Sequence, residues 1–380
     1  MFFENKLWYI VHEGDVFMNS DLFKIIEGGI EKDTQKVINY SKKLAEQFYL
    51  EGKTSTGKKI ERIIAENNTR VSSLDSLTSR PTDRDTKVDL VDVWIPFETG
   101  DTLYFDSIIE KEIKNFTLTY YNRNRLIDHG IESSNNLLLY GPPGTGKSSL
   151  AKYIALQLKL PLITVRMDGV ISSLLGSTAK NIRKVFDYAS KQPCILFLDE
   201  FDVIAKIRDD QSEIGELKRV VNSLIQNIDS FSEDSILIAA TNHSHLLDNA
   251  VWRRFDKVLF IRIPEYNTRK DIIVEFSNRI ENNFCNDSKK LDVLTSLTEN
   301  FSPSQIKTTI GNSIKKTIVS GDELLKFSEV VYAIFLEINQ EDAVNDVDII
   351  KFLHSNNISQ REIAEQFSFS LRKVKDCLSN

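Results

Sequence analysis

The spacing of apolar and polar positions changes character several times along the chain. Over residues 20–67 apolar side chains recur at helical intervals: Leu22, Ile25 and Ile26, then Val37, Ile38, Leu44 and Phe48, then Ile60, Ile63 and Ile64. Gly28-Gly29 and Gly52 interrupt the pattern, which predicts a small helical module over residues 1–71. Residues 72–100 read as a linker, because the stretch 72–86 is rich in Ser, Thr, Asp and Arg, contains Pro81 and has few apolar side chains. Between 101 and 264 short apolar runs alternate with helical stretches, at 137–140, 162–165, 195–198, 236–240 and 258–263. Runs of this length bounded by turn residues suit strands buried on both faces of a parallel sheet, so 101–264 is expected to be an α/β domain. After Pro264 the pattern is helical only, including 269–280 and 305–319 within 265–340, and a last helical unit fills 341–380.

Composition adds bounds. The 380 residues, 41% of them hydrophobic, suffice for two or three cores. A net charge of −7 argues against a surface matched as a whole to nucleic acid but leaves room for one basic patch. Cys194, Cys285 and Cys377 lie far apart with no C-x-x-C pair, which fits free thiols in a reducing compartment. Glu4 and Lys6 break the apolar start that a secretory leader needs, and no run approaches the roughly 18 apolar residues of a membrane span. A cytoplasmic protein with no membrane contact is expected.

The chemistry concentrates in the α/β stretch. Gly141-Pro142-Pro143-Gly144-Thr145-Gly146-Lys147-Ser148, followed by Ser149, lies between the apolar run 137–140 and a helical stretch at 150–158. That is the strand, loop, helix context of a phosphate-binding loop: glycines let backbone N–H groups converge on phosphate oxygens, Lys147 reaches the β and γ phosphates, and Ser148 ligates Mg²⁺. The run 195–198 ends in Asp199 and Glu200, at the strand end where open α/β sheets gather their ligands. Asp199 suits the Mg²⁺ hydration shell, and Glu200, pointing to the other side, suits activation of the attacking water. No H-E-x-x-H or G-x-S-x-G occurs, so neither a fused zinc protease nor a serine nucleophile is supported. His243 and His245 stand two apart but lack further metal ligands.

GPPGTGKSS (141–149), ILFLDE (195–200), AATN (239–242) and LDNAVWRRFD (247–256) together resemble the AAA+ ATPases, and within them the AAA clade of valosin-containing-protein-like unfoldases and the ATPase modules of membrane-bound AAA proteases. The resemblance covers about 101–337. It implies a P-loop NTPase sheet with an AAA+ helical lid, ATP and Mg²⁺ as ligands, and a homo-oligomeric ring, a hexamer in the family. By position Asn242 matches the first sensor, and Arg253 and Arg254 match the arginine fingers that enter a neighbour's ATP site. Asp229-Ser230-Phe231 is similar to the D-G-F element that relays nucleotide state between subunits, with Ser230 in place of glycine. Leu174-Leu175-Gly176 stands where the family's pore loop carries an aromatic, and Ser302-Pro303-Ser304-Gln305 stands where other members carry a second-sensor arginine.

Residues 358–378 resemble a helix-turn-helix. Ser359 and Glu362 form a capping-box pattern, Ile363, Phe367, Phe369 and Val374 supply a shared core, and Ser368 occupies the turn position usually held by glycine. Arg372, Lys373 and Lys375 could meet DNA phosphates, whereas Glu341, Asp342, Asp346, Asp348, Glu362 and Glu365 oppose that attraction. Two functions stay open: an ATPase remodelling a protein substrate, with a separate protease as a candidate partner, or a DNA-associated ATPase recruited through this tail.

Overall fold

The computed structural model describes residues 22–27, 29, 34–50, 53–54, 56–61, 80–83, 86–96, 103–131, 135–171, 175–203, 214–232, 234–339 and 345–379. The chain divides into two units, Met1–Arg80 and Pro81–Asn380. In the first, helix α1 (Thr34–Leu50) buries Ala45, and the Tyr49 hydroxyl donates to Glu61 at 2.7 Å.

The second unit holds a six-stranded sheet in the order β1-β3-β4-β5-β2-β6, comprising β1 (Val91–Trp94), β2 (Asn136–Tyr140), β3 (Leu162–Val165), β4 (Ile195–Leu198), β5 (Ile236–Thr241) and β6 (Lys257–Phe260). Four of the runs expected as buried strands are β2 to β5, all paired in parallel. Leu137, Leu138 and Leu139 of β2 are fully buried, each side chain contributing about 1.5–3 kcal/mol of apolar burial. Helices α2 (Ser107–Tyr121), α3 (Lys147–Leu158), α4 (Leu175–Ala189) and α5 (Ile214–Asp229) accompany the sheet, and a short turn of helix α6 (Asn249–Trp252) precedes β6.

The two edges differ from expectation. Strand β1 comes from the stretch read as linker and pairs antiparallel to β3, Val91 opposite Val165. The chain before it is held by buried Asp83, which accepts from the Asn181 side chain at 2.9 Å and from the Thr86 hydroxyl at 2.9 Å, while Lys184 donates to the Thr82 carbonyl at 3.0 Å. Polar side chains therefore fasten Thr82 and Asp83 to α4, and a reading that equates polarity with linker misses them. Strand β6 is an edge rather than a strand covered on both faces: Leu259 is buried, but Val258 and Phe260 are exposed.

Beyond β6 the chain forms α7 (Tyr266–Ser277), α8 (Ser288–Leu297), α9 (Pro303–Val319) and α10 (Phe327–Ile338), with a short parallel ladder, β7 (Glu281–Asn282) to β8 (Leu324–Leu325), that the helical pattern conceals. The junction is pinned by Arg269, which is buried and donates to the carbonyls of Pro264 (2.8 Å) and Thr295 (3.3 Å). Asp106 also reaches it, accepting from Thr268 at 2.7 Å. The tail helices α11 (Asp346–Ser355), α12 (Gln360–Gln366) and α13 (Leu371–Ser379) share one core with these: Ile350, Leu353, Ile363 and Val374 pack in the same cluster as Phe327, Val331 and Ile334. The Tyr332 and Phe367 rings lie 4.9 Å apart across that junction. Among the described residues no helix is long and apolar enough to cross a membrane.

Candidate active site

Three strand ends, the start of the helix after β2 and two helices beyond the sheet build the cleft. The loop after β2 turns back at Gly141, where a Cβ would lie 2.1 Å from the Ile261 carbonyl oxygen, and at Gly144, φ +74°, where a Cβ would lie 2.7 Å from Ser302 Oγ. Only glycine admits both the left-handed turn and such close approach. Thr145 Oγ1 donates to the Pro142 carbonyl at 2.9 Å, closing the loop on itself. Lys147 opens α3, is buried, and donates through Nζ to the carbonyls of Gly141 and Pro142, each at 2.8 Å. Burial pulls the Lys147 pKa below its ordinary value, and the Asp199 and Asp202 carboxylates pull it the other way.

Ser148 Oγ donates to Asp199 Oδ2 at 2.7 Å, which sets the two oxygens proposed as Mg²⁺ ligands side by side. Glu200 departs from its expected direction. β4 ends at Leu198 and Glu200 has φ +49°, a left-handed conformation costing a non-glycine residue about 1–2 kcal/mol, so strand alternation no longer applies and both acids face the same cleft. Asn242, one residue past β5, also lines it.

Two residues that motif reading passed over set the height of Asn242. Thr241 Oγ1 donates to Asp202 Oδ1 at 3.0 Å and accepts from the His243 amide at 3.0 Å, and both Thr241 and Asp202 are buried. Asp202 sits two residues past the Asp-Glu pair, so proximity to that pair was the available signal. The His243 and His245 rings meet edge-on at 5.8 Å, and no group of metal-ligating side chains that could hold an ion by itself occurs among the described residues.

The cleft encloses about 440 Å³, within the range of small-molecule sites. Gly144, Thr145, Gly146, Ser148 and Ser149 line its polar end, and Tyr104, Phe105, Ile272 and Phe276 its apolar end. The helical region closes one side. Ser302 caps α9 in a complete capping box with Gln305, Pro303 takes the first helical position, and the Ser304 amide donates to the Gly144 carbonyl at 3.2 Å. Lys307, one turn further along, lines the cleft with its ammonium 5.4 Å from the Phe276 ring centre. This cation lies two residues beyond the Ser302-Pro303-Ser304-Gln305 stretch and carries no motif of its own.

Arg253 and Arg254 do not line this cleft. Arg254 pairs with Asp229 (Nε to Oδ1, 3.1 Å), and Arg253 is exposed. The Asp229-Ser230-Phe231 element ends α5: Ser230 Oγ donates to the Gln226 carbonyl at 2.9 Å, and Phe231 meets Phe186 edge-on at 5.4 Å. Leu174 lies outside the described residues, and α4 begins at Leu175.

Known proteins are similar in sequence to this region. Residues 137–263 match the family model described as "ATPase family associated with various cellular activities (AAA)". Over 137 residues the chain is 53% identical to the AAA family ATPase y4kL of Sinorhizobium fredii, covering 36% of this chain and 42% of that protein. It is 34% identical over 212 residues to the proteasome-activating nucleotidase of Sulfurisphaera tokodaii, covering 54% and 53% of the two. It is 34% identical over 192 residues to the peroxisomal ATPase PEX6 of Saccharomyces cerevisiae, covering 49% and 19%. The chain thus spans about half, or less, of the length of each of these relatives. A glycine loop, an acid pair and a polar strand end thus converge on one cleft beside a mostly parallel sheet, and residues 137–263 form an ATPase domain of the AAA family.

Proposed function

We propose that this protein hydrolyses Mg·ATP as a homo-oligomeric ring, hexameric by family resemblance, and uses the cycle to remodel or unfold a protein substrate, with a separate protease as a candidate partner. The observation that carries the reading is the convergence of Lys147, Ser148, Asp199, Glu200 and Asn242 on one cleft, with Arg253 and Arg254 standing off it. Among the described residues no guanidinium lines the cleft, and a ring supplies one from the next subunit.

In this reading the loop 141–149 holds the phosphates by backbone N–H groups, and Lys147 exchanges its carbonyl partners for phosphate oxygens. Ser148 and Asp199 would hold Mg²⁺, which would neutralise phosphate charge when bound. Asn242 orients the attacking water. Glu200 takes a proton from that water as its oxygen bonds to the γ phosphorus, and ADP leaves with the electron pair of the broken P–O bond. The aromatic end around Tyr104 and Phe276 takes the base.

Protein remodelling is favoured over DNA engagement by the tail's own charges. Lys373 is paired with Asp346, and Arg372 stands 3.9 Å from Asp376, so two of the three cations on α13 already have acidic neighbours. A relative named as a proteasome-activating nucleotidase supports the same reading.

The test is a capture experiment. Glu200→Gln protein is loaded with ATP, and retained macromolecules are compared with those held by Lys147→Ala protein. A polypeptide retained only by the former, and unfolded by wild-type protein with ATP, supports the reading. Retention of duplex DNA, lost on replacing Arg372, Lys373 and Lys375 by Ala, would overturn it in favour of the DNA-recruited alternative.

A further inference from the structure

We infer that the two adjacent arginines have different tasks: Arg253 is the guanidinium that reaches the neighbouring subunit's ATP, and Arg254 is a positioning residue that fastens the finger segment to the end of α5. This rests on the ring reading above and sharpens it.

The geometry separates the pair. Arg254 meets Asp229 with two nitrogens, Nε to Oδ1 at 3.1 Å and Nη2 to Oδ2 at 3.3 Å, and its Nη1 donates to the Ala250 carbonyl at 3.3 Å. Its own carbonyl accepts from the side chain of Asn136, a buried residue that opens β2, at 2.8 Å. A guanidinium held by a two-point fork and a third hydrogen bond gives up all of these to turn toward a phosphate elsewhere. Arg253 closes α6, is exposed, and its side chain has no hydrogen bond or ion pair among the described residues. It is free to extend.

Asp229 gives Arg254 a further meaning. It begins the Asp-Ser-Phe element, whose Phe231 packs edge-on against Phe186 of α4. One short element therefore connects the segment carrying Arg253 to α4. The Asp229–Arg254 pair is half exposed, with side chains 50% and 33% accessible, so its value is in holding geometry more than in holding the fold together.

Charge reversal decides the matter, because a fork between two residues survives exchange of its ends whereas contact with a phosphate does not. Steady-state ATP turnover is measured for Arg253→Ala, Arg254→Ala, Asp229→Ala, the double Ala variant, and the exchange Asp229→Arg with Arg254→Asp. Assembly with ATP is followed by sedimentation, and binding by a fluorescent nucleotide. Arg253→Ala should lose about 10³-fold or more in turnover with binding kept. Arg254→Ala and Asp229→Ala should lose the same smaller factor, with the double variant no worse than either. The exchange should recover most of that loss.

The division is overturned if Asp229→Ala turns over normally while Arg254→Ala is as inactive as Arg253→Ala. It is also overturned if rings assemble and the exchanged pair is no better than Arg254→Ala. Wild-type protein that sediments as a monomer with ATP would instead remove the ring reading.

Discussion

The sheet and the helical region beside it contribute to the cleft in opposite ways. In the sheet, the residues that touch nucleotide in the proposed mechanism follow buried strands directly: Gly141 after β2, Asp199 and Glu200 after β4, Asn242 after β5. A strand with both faces buried cannot slip by one residue without turning its apolar side chains over, so each strand end delivers its polar residue to a fixed height. The helical region builds an equally apolar core but offers the cleft only the walls of two helices, Ile272 and Phe276 from α7 and Pro303, Ser304 and Lys307 from α9. The sheet sets positions; the helices set a boundary, and their grip on the glycine loop is made by Ser302 and Ser304. Chemistry should therefore fail on loss of single atoms in the sheet, and the helical region should respond to changes of packing.

Glu200→Gln removes one basic oxygen and little else, and should give the largest effect. Turnover is expected to fall by about 10² to 10⁴, or roughly 3–5 kcal/mol in barrier, with ATP affinity unchanged. Rapid-quench turnover and equilibrium nucleotide binding on the same sample measure the two. Normal turnover would take the role from Glu200 and leave the left-handed backbone there without a function. Ile363→Ala makes the contrasting change. Ile363 is fully buried in the core shared by α7 to α13, so its truncation should cost about 2–5 kcal/mol. Amide exchange should show α10 and α11 losing protection together with α12. Protection lost from α12 and α13 alone would mean that the tail is a separate unit after all.

How far the sequence could be read follows the same division. Strands β2 to β5 were visible because burial on both faces leaves an unbroken apolar run, and the cleft was visible because its residues sit at the ends of those runs. Edges were harder. β1 is four residues with the polar Asp92 among them, and what holds the chain before it is the buried Asp83 with its Asn181 partner, a contact between residues far apart in sequence. Glu200 could be named from its neighbour but not aimed, since aiming depended on a backbone conformation unusual for glutamate. Thr241 and Asp202 carry no motif, and only the folded chain brings them together beneath Asn242. The tail's helices were legible, but the periodicity of a helix says which face is apolar and not which neighbour covers it.

The contact between the two regions provides a third test. Gly144→Ala places a methyl group 2.7 Å from Ser302 Oγ and 3.0 Å from Ser304 Cβ, at a residue with φ +74°. Overpacking of this kind costs about 1–3 kcal/mol. Here the strain falls on the start of α9, and ATP affinity should weaken by about 5- to 150-fold. Titration with a fluorescent ATP analogue reads this directly. Unchanged affinity would show that the helices do not need to rest on the loop for nucleotide to bind.

The smallest effect probes whether the helical region pays for its geometry as the sheet does at Glu200. Ser368 has φ +57° and sits just past the end of α12, where the Phe369 amide donates back to the Ala364 carbonyl at 3.2 Å. This is the helix-ending arrangement in which glycine is favoured, because a Cβ in left-handed backbone crowds the following carbonyl. Ser368→Gly removes that crowding but gives the unfolded chain more freedom, so the gain should be a few tenths to about 1 kcal/mol, a rise of roughly 1–3 °C in melting temperature. Lys159, φ +56°, follows α3 in the same manner, with the Leu160 amide donating to the Ala155 carbonyl at 3.1 Å. Lys159→Gly should bring a similar gain in the sheet region, and neither site touches nucleotide, so ATP turnover should be unchanged in both. A loss of stability at Ser368 with a gain at Lys159 would show that the serine makes a contact worth more than the strain it bears, and that the tail's turn is held by its side chain and not by its backbone.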